Sequence, residues 1–239
     1  MKKRTRVVLA ASIVLAPLTF GIGDQLRMRA MPADQEAWSD FVAAMLESVA
    51  ADSGLWTAAS YTFYLAMFLG VAATIAIWRL SVARAPRWAW AGAILGGLGA
   101  IGEAVHLTAH FATLGAFASY EDRALAAELY MVLEEHPFAM ALFVPFLLGI
   151  FALIPQAVGL RRARAIPLWA TLALVGGLVT MMVAGGSTPL ASAVFTVLAV
   201  IGLSPAALAM LRDPTLAPAT APSPAPSAQA VDGLTEPAT

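Results

Sequence analysis

The sequence predicts an all-α integral membrane protein: six transmembrane helices in a bundle, a short extracytoplasmic amphipathic helix and a disordered cytoplasmic tail. Three observations lead there. Of 239 residues, 60% are apolar and only 12% are charged, whereas an ordinary soluble domain carries about 25% charged residues. Too few polar groups remain to cover a soluble globule, so lipid must cover part of the surface. Apolar runs long enough to cross a hydrocarbon core of about 30 Å recur along the chain. Between those runs, arginine-rich and carboxylate-rich segments alternate. The net charge of −1 offers no basic field for nucleic acid. The absence of cysteine rules out disulfides, thiolate catalysis and Cys-ligated metal centres.

The elements follow in order. "MKKRTR" precedes the apolar run "VVLAASIVLAPLTFGIG", which fits either a first span over 7–23 or a secretory signal. The run exceeds the usual signal core of about 7–15 residues and no clean A-x-A site follows, so a retained span is expected. Over 34–53, Trp38, Phe41, Val42, Met45 and Val49 share one helical face, with Asp34 placed to cap the start and Gly54 to end it. This reads as an amphipathic helix at the membrane surface or against the bundle. The second span is 55–78, where Trp56 and Trp78 lie 22 residues apart. That is about 33 Å of helix, one tryptophan for each interface.

The third span is 88–114. After it, Leu125, Leu129, Val132 and Leu133 mark a short surface helix in "SYEDRALAAELYMVLEEHP". The last three spans are 137–160, 167–185 and 189–211. Pro145 and Pro155 distort the fourth, and the short "GGSTP" makes the last two a tight hairpin. The membrane domain thus occupies 1–212. Residues 213–239 are rich in Pro, Ala, Ser and Thr and cannot build a core, so a disordered tail is expected.

Charge sets the orientation. Lys2, Lys3, Arg4 and Arg6, then Arg79, Arg84 and Arg87, then Arg161, Arg162 and Arg164, and finally Arg212 fall at one face. The two long connections at the other face are acidic. The positive-inside rule places both termini in the cytoplasm of a cell (inner or plasma) membrane protein.

The chemistry concentrates in the third span. Gly92, Gly96, Gly99, Glu103, His106 and His110 succeed one another at steps of three or four, a stripe small at its basic end and polar at the other. Small residues let helices approach closely, so the stripe faces protein. A carboxyl deep in a span costs about 2.5–3.5 kcal/mol, so Glu103 needs a partner or a proton. His136 stands at the start of the fourth span and is expected to join the other three. Glu103, His106, His110 and His136 are therefore the candidate site.

Several readings compete for that site. Its groups can hydrogen-bond helix to helix, a structural or interaction role. They can ligate a divalent metal, or hold a haem with His136 supplying the second axial ligand, as in a membrane enzyme or electron-transfer protein. They can also serve a small-solute or proton-coupled transporter. The sequence assigns no reaction. The lipid bilayer is the expected partner, with a second copy of the chain or another membrane protein left open and nucleic acid excluded.

Overall fold

A computed structural model describes residues 1–32, 38–183 and 188–212 of the chain. All regular structure among them is helical. In chain order the helices are α1 (Lys3–Arg29), α2 (Trp38–Ala51), α3 (Ser53–Ser81), α4 (Pro86–Phe117), α5 (Arg123–Glu135), α6 (Pro137–Ile150), α7 (Leu153–Arg162), α8 (Leu168–Val183) and α9 (Pro189–Arg212). The expected tail at 213–239, the cap at Asp34 and most of the turn between the last two spans lie outside the described residues.

Among the described residues, five stretches are long and apolar enough to cross a membrane: Lys3–Arg29, Ser53–Ser81, Pro86–Phe117, Phe143–Arg162 and Pro189–Arg212. Of the expected fifth span at 167–185 the described helix, α8, covers 16 residues, about 24 Å at 1.5 Å per residue, and residues 184–185 lie outside the described residues. The fourth expected span is not one helix. Its hydrogen-bond ladder is interrupted at Phe151–Ala152, between α6 and α7, with Pro145 and Pro155 on either side. Proline lacks the N–H that would continue the ladder, which is why the break falls here.

Six helical walls close into a ring. α1 packs between α3 and α9, α3 packs on α4, α4 on α6 and α7, α7 on α8, and α8 on α9. α1 is one wall of this ring, its inward face burying Leu9, Ala10, Ile13 and Ala16. It runs beyond the expected 7–23 and carries Asp24, which is buried and paired with Arg27 at 2.7 Å. The outer faces of the long helices are apolar: Leu65 and Phe68 on α3, Ile94 and Ile101 on α4, Val197 and Ile201 on α9 are exposed.

The ends differ as the charge pattern requires. At one end Arg79 reaches Met1 Sδ at 3.1 Å, Arg84 donates to the carbonyl of Ala163 at 2.8 Å, and Arg162 lies 5.5 Å from the Trp88 ring. At the other end α2 and α5 pack together over the bundle. Two separate apolar cores result. One, near the arginines, includes Ile13, Ala76, Leu160, Leu174 and Met210; the other includes Val42, Met45, Leu46, Leu114 and Tyr130.

The amphipathic segments are helical, with two differences. α2 buries Val42, Met45, Leu46 and Val49, close to the expected stripe. Gly54 does not end it; Asp52 separates the helices by capping α3, accepting from Leu55 N at 2.9 Å. In α5 the buried residues are Ala126, Ala127 and Tyr130, while Leu125, Leu129, Val132 and Leu133 are exposed. The small residues let α5 lie close to the bundle and turn its leucines outward.

The tightest helix contact joins α4 to α6. A Cβ placed on Gly99 would meet the Cα of Gly149 at 2.5 Å, and one on Gly102 would fall on the backbone of Pro145 and Phe146. No side-chain rotation relieves either clash. Gly99→Ala and Gly102→Ala should each destabilise the bundle by about 1–3 kcal/mol, the usual cost of overpacking, and lower its melting temperature in detergent. Gly97→Ala, where a Cβ meets nothing within 4 Å, should leave it unchanged or slightly raise it.

Candidate functional site

The candidate residues fall into three environments. His136 is exposed and caps α6, its Nδ1 accepting from Phe138 N at 3.2 Å. Pro137 explains this role: it forces the preceding residue into extended backbone, the geometry of a helix cap. Among the described residues, no group of three or more His, Asp or Glu side chains is placed to hold a metal ion. The four-residue cluster expected from the spacing is therefore divided.

His106 and His110 form the second environment. Their rings stack with centroids 5.4 Å apart and planes 13° from parallel. His106 also lies against Phe143 and Phe146 of α6, at 5.1 and 4.9 Å. Over Thr108–Ala112 α4 relaxes into a π turn, which admits an extra residue per turn and shifts the face of everything after it. Trp56 steadies this turn by donating Nε1–H to the carbonyl of Phe111 at 3.1 Å.

The shift points His110 at α5. Its Nδ1 lies 3.0 Å from the Tyr130 hydroxyl, which donates to Glu134 Oε1 at 2.5 Å. A tyrosine has one hydroxyl proton, and here Glu134 takes it, so His110 Nδ1 carries the proton that faces the tyrosine oxygen. The chain runs from imidazole through phenol to carboxylate. His110, at 3.9 Å from the same Glu134 oxygen, holds the Glu134 carboxyl below its ordinary range; partial burial opposes this and the Tyr130 hydrogen bond adds to it. Burial, with Glu134 beside it, pushes the Tyr130 hydroxyl far up, so it stays a donor. Tyr130 and Glu134 escaped the sequence reading. Their spacing of four on one helix was the available signal, masked by the more conspicuous leucine stripe.

Glu103 stands apart. It lines a cavity of about 260 Å³ between the two apolar cores, with Phe20 from α1, Met67 and Gly70 from α3, Phe146 from α6 and Phe195 from α9. Met67 is midway between Trp56 and Trp78, so the cavity lies near the middle of α3. Ile150, Ala152 and Leu153 bring the break between α6 and α7 to the cavity wall. Among the described residues, the Glu103 carboxyl has no hydrogen-bond or ion partner.

No known protein family, curated protein or solved structure matches the chain. Function must therefore be argued from these sites alone.

The polar chain to α5 makes a direct prediction. Tyr130→Phe leaves His110 and Glu134 without their shared partner and should cost about 1–2 kcal/mol of stability, the range for a lost buried hydrogen bond. Glu134→Gln should show the matching pH dependence. Because the folded carboxyl titrates below its ordinary value of 4.5, the native chain should exceed the variant in stability above that pH. The advantage should shrink as pH falls through the lowered value. Thermal melting across a pH series checks both.

Proposed function

We propose that the chain is a six-span cell-membrane protein that binds a small solute near mid-depth of the bilayer and carries it, a transporter in class. The observation that carries this reading is the unpartnered Glu103 carboxyl on the wall of a cavity at the α6–α7 break. Transporter sites characteristically lie near the midplane, where interrupted helices free backbone groups. An ionisable group inside a membrane bundle serves function by default, because its insertion is costly.

Membrane insertion is supported by the exposed apolar faces of α1, α3, α4 and α9, far more apolar surface than a soluble monomer presents. Connectivity supports the count of six. α8 starts just after the arginine turn at 161–164, whereas α9 starts at Pro189, whose carbonyl accepts from Gln25 at the opposite end, 2.7 Å away. α8 travels between the two ends and completes an even number of crossings. The arginines gathered at one end put that end, with both chain termini, in the cytoplasm. In this reading His106 and His110 serve structure: one packs on α6, the other moors α5.

Two experiments test the reading. The chain has no cysteine, so Ser119→Cys should react with an impermeant maleimide in intact cells and Ala83→Cys should not; both positions are exposed. The reverse pattern would invert the orientation. For the site, Gly70 borders the cavity and a Cβ there meets nothing within 4 Å, so the side chain of Gly70→Leu starts in open space. The full chain in lipid nanodiscs should bind one equivalent of a ring-sized probe, phenethylamine or propylbenzene. Gly70→Leu should lose that binding while keeping its melting temperature. Equal binding by the variant would refute the site.

A further inference from the structure

We infer that the solute is a small lipophilic amine in its ammonium form, held by Glu103. This rests on the solute-site reading and adds the ligand's chemistry. The cavity wall contains a single ionisable residue, Glu103, and no Lys, Arg or His. Its other polar groups are Thr74 and Gln156, and Gln156 has already committed its donors. The amide Nε2 donates to the Gly92 carbonyl at 3.3 Å and, more weakly, to Thr74 Oγ1 at 3.5 Å. What the cavity offers a guest is therefore mostly acceptor, chiefly the Glu103 carboxyl. A donor-rich cation complements that wall, whereas a carboxylate or phosphate would meet only negative charge.

The rest of the wall fits the remainder of such a molecule. Phe20, Phe146 and Phe195 present aromatic rings, whose faces attract cations and pack against apolar groups. At about 260 Å³ the space falls below the roughly 300–1,000 Å³ of drug-sized sites, which suits one ring and a short chain. A route is also present. A second cavity of about 320 Å³ lies between α3 and α4, walled by Val71, Ile75, Trp78, Arg79 and Trp90, and it shares Thr74 and Gly96 with the first. Because Arg79 stands on this wall, a lipophilic amine from the leaflet next to the arginine end passes the groove in its neutral form before it meets the Glu103 carboxyl.

Three probes of nearly one shape separate charge, donor capacity and size: phenethylamine, phenethyl alcohol and propylbenzene. Binding to the full chain in nanodiscs is measured by native mass spectrometry near neutral pH. Phenethylamine should bind about tenfold more tightly than propylbenzene, the order expected for a charge-assisted hydrogen bond, with phenethyl alcohol between them. Glu103→Gln should erase the amine's advantage and leave propylbenzene unchanged. Should that variant fold poorly, the ranking of the three probes on the native chain decides alone. If propylbenzene binds as tightly as the amine and Gly70→Leu blocks both, the amine inference fails and the cavity reading stands. If no probe binds, or Gly70→Leu changes nothing, the cavity reading itself fails.

Discussion

The contact between α4 and α6 governs the rest of the structure. Gly99 faces Gly149, and Gly102 faces the backbone of Pro145 and Phe146, so two helices meet with no side chain between them. Helices in lipid gain nothing from burying apolar side chains against each other, since the acyl chains are equally apolar; close backbone packing supplies the attraction. Once α4 is held there, its next residues have fixed destinations. Glu103 borders the central cavity, His106 meets Phe143 and Phe146, and the π turn directs His110 to α5.

The same contact explains why a cavity persists. α6 is pinned to α4 along its second half, and the chain then breaks at Phe151–Ala152 before α7 resumes. The two apolar cores form at either end of the bundle, and neither reaches across the break. A carboxyl in that gap has no partner among the described residues, and this is the observation on which the proposed solute site rests. The proposed solute carrier would use these features: a single carboxyl, an apolar surround and an interrupted helix as a place to flex.

Much of this was legible in residue spacing. The glycine stripe on α4 announced a protein-facing surface, and the alternation of arginines and carboxylates announced two distinct ends. The less legible parts share a physical reason, that they depend on departures from regular periodicity. The π turn at Thr108–Ala112 carries His110, which stays stacked on His106 yet reaches Tyr130 on α5. His136 is diverted into capping by the proline that follows it, and α5 chooses its alanine face over its leucines. The cavity depends on where α7 restarts, which proline positions suggest but do not locate. Glu103 was recognised as needing a partner; that its surroundings supply none is visible only in three dimensions.

Solid-state NMR of the glycine-labelled chain in lipid bilayers measures the α4–α6 contact most directly. A short-range cross-peak between the Cα atoms of Gly99 and Gly149 is expected, assigned by its loss when either glycine is substituted. If both glycines instead show contacts to lipid acyl chains and none to each other, the helices are apart. Glu103 would then have no cavity to line.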